Sequence, residues 1–269
     1  MTYRIVIPSY RRENAIKRKT LALLERHGVP GHMVTVYVAN HDELGLYQRS
    51  LAGGIYTDVQ VSAPGLVESR QYISMAHPEG TALVWLDDDL DGVKAKHADG
   101  KVRTLPPGHL EHVFQRGFNL CRRYGATLWG VKACSHTLGM NHVAALGLFY
   151  VIGSMYGTIN THEPAMQLPI TARHASDKED YERTLRHYQR DGRVVRMEDV
   201  SLVSSWYTLP GGLQDVDGTR PKERVAAAAN AIAATWPQWV RTYTRRTTGF
   251  AELKLRAPNP RRVAMEPLA

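Results

Sequence analysis

Cysteine and long apolar segments are both scarce in this sequence. Two cysteines, Cys121 and Cys134, occur among 269 residues, so we expect buried, reduced thiols instead of a disulfide framework. No segment approaches the roughly 20 consecutive apolar residues that a membrane-spanning helix requires. The first residues lead directly into a strand pattern without a secretory signal, so we expect a cytoplasmic protein that makes no membrane contact.

Two common nucleotide-binding motifs are missing as well. The loop after the first predicted strand has no G-x-G-x-x-G, which argues against a nicotinamide or flavin enzyme. A G-K-[ST] phosphate loop is also absent. The chain is instead rich in positive charge, and its formal net charge of +8 favours an anionic partner, either nucleotide phosphates or a nucleic acid.

The order of the predicted elements indicates an α/β fold. Residues 3–7 form a short β-branched strand, and residues 14–26 form a helix that stops before Pro30. Residues 33–39 give the next strand. This β-α-β opening predicts a Rossmann-like, mostly parallel central sheet flanked by helices. Later patterns predict a helix over residues 109–124 and strands over residues 59–62, 128–134, 147–153 and 194–203.

The most informative stretch is residues 83–92, which read L-V-W-L-D-D-D-L-D-G. Four consecutive apolar residues before Asp87, Asp88 and Asp89 predict a strand that is buried on both faces and ends in three carboxylates. Ligands of open α/β sheets bind at the carboxyl ends of strands. Three clustered acids repel one another unless a cation binds, and hard oxygen ligands select Mg²⁺ or Mn²⁺. The alternative is a solvated acidic turn that closes the strand.

Two further segments place basic and aromatic side chains near the same sheet edge. Residues 8–12 read P-S-Y-R-R, in which Tyr10 offers a ring for base stacking and the arginines offer charge for a diphosphate. The alternative is an ordinary turn whose arginines are exposed to solvent and bind no ligand. Arg70 lies early in the helix that follows Gly65, where it would hold a nucleotide or balance the three aspartates.

In this order and spacing, the three motifs resemble the nucleotide-sugar half of GT-A fold glycosyltransferases. The resemblance covers residues 3–92 and rests on P-S-Y-x-R, a G-x-x-x-x-R-Q helix and a strand ending in D-D-D, with Ser69 and Gln71 replacing the more usual alanine and asparagine. It implies transfer of a sugar from a UDP-sugar with Mn²⁺ or Mg²⁺ as cofactor. It implies metal binding by Asp87 and Asp89, and donor binding by Pro8, Ser9, Tyr10, Arg12, Asn40, Arg70, Asp87 and Asp88.

A second acidic segment begins a later helix. Ser176 and Glu179 form a capping-box pattern for a helix that runs to about Arg190. Acids in a first turn complement the helix dipole and need no other role. The resemblance implies another role, because inverting GT-A enzymes often carry a Glu-Asp pair at such a helix start, with the aspartate as general base. We therefore predict catalysis for Asp180 and capping for Glu179.

One departure from the family pattern concerns the metal. Many GT-A enzymes supply a late histidine ligand, but no histidine follows His187 in this chain. The third ligand therefore stays open among His174, Asp215, Asp217 and water. Two further segments have both a functional and a structural interpretation. His136, Asn141 and His142 either line an acceptor pocket or lie on the surface. Residues 206–212 form either a lid over the site or a connecting loop.

The C-terminal segment suggests the acceptor. Its aromatic residues Trp239, Tyr243 and Phe250 alternate with seven cations, as in surfaces that bind nucleic-acid backbones, although a soluble tail is the alternative. The cations are Arg241, Arg245, Arg246, Lys254, Arg256, Arg261 and Arg262. The whole pattern resembles phage glycosyltransferases that modify 5-hydroxymethylpyrimidines in DNA, including those associated with TET-like oxygenases. This resemblance implies 5-hydroxymethylcytosine in DNA as acceptor and the host cytoplasm as location.

We expect one GT-A-like domain with three sections. Residues 1–105 form the nucleotide-sugar half, residues 106–215 form the acceptor and catalytic half, and residues 216–269 form a basic C-terminal helix and tail. Two alternatives are kept. One is a GT-A transferase that acts on a glycan or a protein, and the other is a non-catalytic GT-A-like domain that binds nucleic acid. The sequence indicates neither the sugar nor the oligomeric state.

Overall fold

The computed structural model describes residues 2–133, 139–168, 177–204, 222–258 and 260–268. Several positions singled out from the sequence lie outside these residues. They are Cys134, His136, His174, Ser176, Asp215, Asp217 and residues 205–212.

The N-terminal half of the central sheet consists of four parallel strands. They are β1 Tyr3–Pro8, β2 Val34–Val38, β3 Asp58–Val61 and β4 Ala82–Leu86, in the order β4-β1-β2-β3. Every residue of β4 is buried, as its unbroken apolar run predicted. Because parallel strands end at the same edge, the turn after β4 lies beside the loop after β1.

Helices connect these strands. They are α1 Glu13–Ile16, α2 Ala22–Arg26, α3 His41–Ser50 and α4 Leu66–Ala76. The helix predicted over residues 14–26 is interrupted by a π-helical turn, Lys17–Leu21, between α1 and α2. Such π-turns are frequent at functional sites. This one carries Thr20, whose buried side chain faces the aspartate turn described below.

The other strands extend the sheet beyond β4. They are β5 Leu90–Lys96, β6 Val102–Thr104, β7 Leu128–Lys132, β8 Val143–Gly147, β9 Met155–Ile159, β10 Val194–Ser204 and β13 Arg261–Ala264. The strand order is β13-β8-β10-β7-β9-β4-β1-β2-β3. Among these nine described strands, seven run in one direction and only β8 and β9 run against them. The predicted α/β fold with a mostly parallel sheet is confirmed.

The predicted strand over residues 147–153 is wrong. Strand β8 ends at Gly147 and β9 begins at Met155, and the intervening residues form a loop. Leu148 and Val151 of this loop are still buried, and Val151 belongs to the core that contains Trp85 and Tyr156. The loop carries Tyr150 and Gly153 to the candidate site.

Helix α5, Leu110–Tyr124, confirms the helix predicted from the spacing of apolar residues. Its Phe114 and Phe118 pack against Trp129 of β7, with ring centroids 6.2 and 5.5 Å apart. A Cβ atom at Gly117 would come 2.3 Å from the Trp129 ring, so the close approach of α5 to the sheet requires glycine there.

The C-terminal residues contain a helix, as predicted, and they form strands where the sequence predicted a basic tail. Helix α6 is Glu179–Asp191, α7 is Lys222–Thr235, and β11 Val240–Thr244 pairs antiparallel with β12 Ala251–Leu255. Leu185 of α6 packs with Ile232 of α7 and with Leu253 of β12 in one apolar cluster. Within the described residues, no helix combines the length and apolar character needed to cross a membrane.

Candidate active site

The turn after β4 lies beside the loop after β1, and Asp88 joins the two. Ser9 donates a hydrogen bond to Asp88 Oδ2 at 2.6 Å, and Arg12 Nη1 lies 3.0 Å from Asp88 Oδ1. Asp88 is buried, and burial raises its pKa against the opposing effects of Arg12 and Ser9. In this structure the Asp88 carboxylate therefore fixes the P-S-Y-R-R loop against the acidic turn.

Asp87 and Asp89 flank this anchor. Asp89 lies 3.4 Å from Arg12 Nη1, and Ser204 of β10 donates to its Oδ1 at 3.3 Å. Asp87 is the most open of the three acids, with 33% of its side chain exposed. Burial by the surrounding groups nevertheless raises its pKa to about 7; Arg70 opposes that rise, whereas Asp89 and Asp88 add to it.

Thr20 holds the backbone of this turn. Its hydroxyl donates to the carbonyl oxygen of Asp87 at 2.7 Å and accepts from the amide of Leu90 at 3.0 Å. The side chain is fully buried in the π-helical turn. One threonine thus satisfies both backbone ends of the aspartate turn and sets the direction in which the acids project.

Helix α3 supports the loop after β1. Tyr47 shares a 2.7 Å hydrogen bond with Ser9 and accepts from the Arg12 amide at 2.9 Å. Glu43 accepts from the amide of Arg11, which has a left-handed φ of 55° and places its guanidinium 5.0 Å from the Tyr10 ring. The predicted donor-binding residue Asn40 caps α3 by accepting from the Glu43 amide at 3.0 Å.

Arg70 connects the aspartate turn to α6. It is buried, and its Nη2 lies 3.3 Å from Asp87 Oδ1 and donates to the Gly153 carbonyl at 3.1 Å. Its Nη1 donates to Glu179. Both proposed roles of Arg70, holding a nucleotide and balancing the acids, are compatible with this position, and the second is visible as direct contacts.

The predicted capping role of Glu179 is wrong. The residue that precedes the helix is Lys178, and no side-chain cap is present there. Glu179 instead accepts from Arg70 and, at 2.7 Å, from Arg183 Nη1. Two buried guanidinium groups need a buried anion, and this need exceeds the benefit of a cap. Burial alone would raise the pKa of Glu179, but Arg183 and Arg70 outweigh it and hold the pKa below its ordinary value.

Asp180 lies next to this ion-pair network and has different partners. Its carboxylate accepts from the Tyr150 hydroxyl and from the Tyr181 amide at 2.9 Å. Burial and the neighbouring Glu179 charge raise its pKa. A Cβ atom at Gly153 would lie 3.0 Å from Glu179 Oε1 and 3.6 Å from both Arg70 Nη1 and Asp180 Cβ, so this glycine lets the α6 start approach Arg70.

The carboxylates of Asp87 and Asp89 suit Mg²⁺ or Mn²⁺ if substrate phosphates and water complete the coordination. Among the described residues no group of three or more histidine, cysteine, aspartate or glutamate side chains is arranged to hold a metal ion. A site built on Asp87 and Asp89 is still adequate, because Mg²⁺ is usually held by one or two carboxylates together with substrate phosphates and water. Burial, and to a smaller extent the charges of Asp89 and Asp88, raise the pKa of Asp87, and a bound cation would favour its ionised form.

Other candidate residues lie elsewhere. His142 bonds the His97 carbonyl at 3.2 Å and lies 3.5 Å from Asp199, which is paired with Arg116 of α5. Sequence reasoning missed Thr20, Glu43, Tyr47 and Tyr150. A polar residue inside a helical pattern was the only local signal for Thr20, and the other three had none.

Comparison with solved structures finds a similar fold in several proteins. The structure of S. aureus TarS residues 1–349 matches with a TM-score of 0.52 and 12% identity, covering 87% of this chain and 66% of that one. Glucosyl-3-phosphoglycerate synthase from Mycobacterium tuberculosis, solved with Mn²⁺, UDP and glucosyl-3-phosphoglycerate, matches with a TM-score of 0.50 and 12% identity over 97% of this chain and 89% of that one. The same synthase with Mg²⁺ and UDP matches equally, at 13% identity. At these identities the likeness establishes the fold alone. No protein-family model matches the chain, and no curated protein matches it.

Proposed function

We propose that this protein is a metal-dependent glycosyltransferase that moves a sugar from a UDP-sugar to a hydroxyl acceptor. The observation that carries the proposal is the position of Arg70, which contacts Asp87 of the acidic turn and Glu179 at the start of α6. Through it, two acidic motifs that are far apart in sequence lie at one point of the fold. The matched structures that contain UDP with Mn²⁺ or Mg²⁺ support the proposed classes of donor and cofactor.

Each side chain has a defined task in this proposal. Asp87 and Asp89 hold Mn²⁺ or Mg²⁺, which as a Lewis acid neutralises charge on the departing diphosphate. Arg12 and Arg70 add positive charge beside that position. Pro8, Ser9, Tyr10, Asn40 and Asp88 form or support the surface for the base and ribose.

Asp180 is the proposed general base. It accepts the proton of the acceptor hydroxyl while that oxygen bonds to the anomeric carbon, the bond from this carbon to the phosphate oxygen of UDP breaks, and UDP leaves with inversion at the carbon. A carboxylate with a raised pKa is a stronger base, and the bond from Tyr150 fixes its orientation. Glu179 is a positioning residue in this scheme, because its oxygens are occupied by Arg70 and Arg183.

The central test is an assay of transfer. The protein is incubated with Mn²⁺, a panel of UDP-sugars and DNA that contains 5-hydroxymethylcytosine, and the digested nucleosides are weighed by mass spectrometry. The expected result is one nucleoside heavier by a single sugar, in the presence of Mn²⁺ and not with EDTA. Release of UDP without any modified nucleoside would direct the search to a glycan, protein or small-molecule acceptor. The absence of both UDP release and sugar transfer would contradict the enzymatic proposal. It would favour a non-catalytic binding domain.

DNA is the acceptor that we propose, and the C-terminal hairpin supports it. The hairpin cations Arg241, Arg245, Arg246 and Lys254 are exposed, as are Arg256, Arg261 and Arg262 beyond it, and Tyr243 of β11 is 51% exposed. Trp239, in contrast, packs against Tyr188, and Glu252 is paired with Lys178 at 2.8 Å, so this acid does not offset the outer charge. Because Lys178 directly precedes α6, the basic hairpin is tied to the helix start that carries Asp180. Two-stranded ribbons of this kind fit DNA grooves.

Salt dependence tests the acceptor separately from catalysis. Binding of hydroxymethylated DNA is expected to weaken linearly in log salt, with a slope near −0.9 for each phosphate contacted. The double change Arg245→Ala and Arg246→Ala should reduce the slope by about two. Arg103→Ala, which removes an exposed arginine on β6 that is paired with Asp99, is the matched control and should leave the slope unchanged. A slope near zero would contradict DNA as the acceptor.

A further inference from the structure

A cavity lies on the face of the sheet, between α4 and α6. Its volume is about 70 Å³. The side chains that matter for its chemistry are Arg70 and Gln71 from α4, Trp85 and Tyr156 from the sheet, and Arg183 and His187 from α6. This volume holds several waters or one small anion, but it is well below the roughly 300 Å³ of a typical pocket for a larger ligand. It does not fit a nucleotide.

Arg183 carries the most unusual feature of this cavity. The side chain is 7% exposed, its guanidinium lies 3.7 Å from the centre of the Tyr156 ring, and its Nη1 donates to Glu179. Its Nε and Nη2 are buried and have no hydrogen-bond partner among the described residues. These two nitrogens form one complete edge of the guanidinium, which is the edge that binds a carboxylate or phosphate through two parallel hydrogen bonds.

Other cavity-lining atoms share this condition. Arg70 Nε and Gln71 Oε1 are also buried without a partner within the described part of the chain. Rotation of the Gln71 amide exchanges its oxygen and nitrogen, which supplies a further donor without moving the rest of the side chain. Buried polar groups are nearly always hydrogen-bonded, so four orphaned atoms on residues that line one cavity indicate a missing partner.

The charges around the cavity favour an anion as that partner. Two guanidinium groups, those of Arg70 and Arg183, line the cavity, whereas no carboxylate is among its described lining residues; Glu179, which pairs with both arginines, lies outside that lining. His187 adds no charge, because burial and then Arg183 and Arg190 lower its pKa to about 3. The cavity therefore has a surplus of positive charge at neutral pH.

We propose that this cavity is a binding site for a small oxyanion, held by Nε and Nη2 of Arg183 with the Gln71 amide as an additional donor. The ligand class is a phosphate or a carboxylate group. The site is separate from the proposed donor site and does not depend on sugar transfer. It is connected to that site, because an anion on Arg183 would share the guanidinium with Glu179, which in turn holds Arg70.

Calorimetric titration with inorganic phosphate and with acetate tests the proposal and separates the two ligand chemistries. We expect saturable binding of at least one of them at constant ionic strength, and a rise in Tm with ligand concentration. Arg183→Lys keeps the charge but removes the two-nitrogen edge, so affinity should fall at least about tenfold. The matched control is Arg186→Lys, one turn further along α6, where Arg186 is paired with Glu182 and does not line the cavity. It should bind as the unmodified protein does.

Three results would overturn the proposal. They are the absence of saturable binding, equal binding by Arg183→Lys, and complete displacement of the anion by UDP. A direct measurement covers the case in which Arg183→Lys fails to fold. Crystals of the unmodified protein soaked in arsenate, a phosphate analogue, should show an anomalous peak within hydrogen-bond distance of Arg183 Nε and Nη2. Water at that position, with arsenate elsewhere, would refute the site.

Discussion

The two acidic motifs of this protein are built on different elements but divide their carboxylates in the same way. In the turn after β4, Asp88 is buried and bonded to Ser9 and Arg12, whereas Asp87 is one-third exposed. At the start of α6, Glu179 is locked between Arg70 and Arg183, whereas Asp180 is bonded to the Tyr150 hydroxyl.

Within each motif, the different partners of the acids distinguish a structural role from a role as base or cation ligand. A carboxylate held by two guanidinium groups has a stabilised charge and little tendency to exchange protons or ligands. A buried carboxylate with one guanidinium partner or none has a raised pKa, which suits a base or a cation ligand if its oxygens are not already occupied. Glu179 falls in the first class, and Asp87, Asp88 and Asp180 fall in the second, but the oxygens of Asp88 are occupied by Ser9 and Arg12. The following changes test this division, from the largest expected effect to the smallest.

Asp180→Asn is expected to have the largest effect. Removing a general base lowers the transfer rate by about 10² to 10⁴, while donor affinity should stay within about twofold because Asp180 does not contact the diphosphate in the proposed scheme. The measurement is kcat for transfer together with the Kd for UDP-sugar. Tyr150→Phe keeps the carboxylate and removes only its hydroxyl partner, so it should cost about tenfold or less. Equal loss of transfer and donor binding in Asp180→Asn would assign this residue to structure.

Glu179→Gln is expected to destabilise the fold. Two buried guanidinium charges would lose their shared anion, which costs about 3–5 kcal/mol in the free energy of unfolding. The pH dependence follows from the lowered pKa of Glu179, whose ordinary value is 4.5. The stabilisation is present above pH 4.5 and disappears as the pH falls through the lower, folded-state value. Urea unfolding should therefore show a gap between the two proteins at pH 7 that narrows in acid. A gap independent of pH would mean that the amide disrupts packing.

Much of the fold could be predicted from local sequence. The different partners of the acids within each acidic motif could not. The strand before Asp87 follows from an apolar run, and the helix after Lys178 follows from a helix-start pattern. The pairing of Arg70 with Glu179 joins residues 109 positions apart, and that of Ser9 with Asp88 joins residues 79 positions apart. No local pattern encodes contacts of this length, so the sequence could not show which acid of each motif is held by guanidinium groups.

The same limit explains the residues that were missed. Thr20 lies inside what reads as an ordinary helix, and a π-helical turn is needed to direct its hydroxyl at the Asp87 carbonyl. Tyr47 looks like an apolar position of α3 until its hydroxyl meets Ser9. The error at Glu179 has a related cause, because a helix-start glutamate matches the capping pattern whether or not two arginines approach it from other elements.

Asp87→Asn has the smallest expected effect on stability and the opposite pH dependence. The folded-state pKa of about 7 lies above the ordinary value of 3.8, so the protonated aspartate is favoured by folding. This contribution is present in acid and is lost as the pH rises towards 7, which is the reverse of Glu179. Without metal, the variant should therefore gain stability relative to the unmodified protein between about pH 4 and 7. At pH 7 the difference should be within about 1 kcal/mol, because the Arg70–Asp87 pair is partly exposed.

Measurement in EDTA and then in Mn²⁺ completes this test. Mn²⁺ should stabilise the unmodified protein and not Asp87→Asn, because binding requires the ionised carboxylate. If the two variants instead lost stability in parallel as the pH changed, Asp87 would be a paired structural acid like Glu179. This outcome would contradict the proposed metal site in the acidic turn. If Asp87→Asn is stable but no longer responds to Mn²⁺, the exposed acid has the ligand role and Asp88 has the structural one.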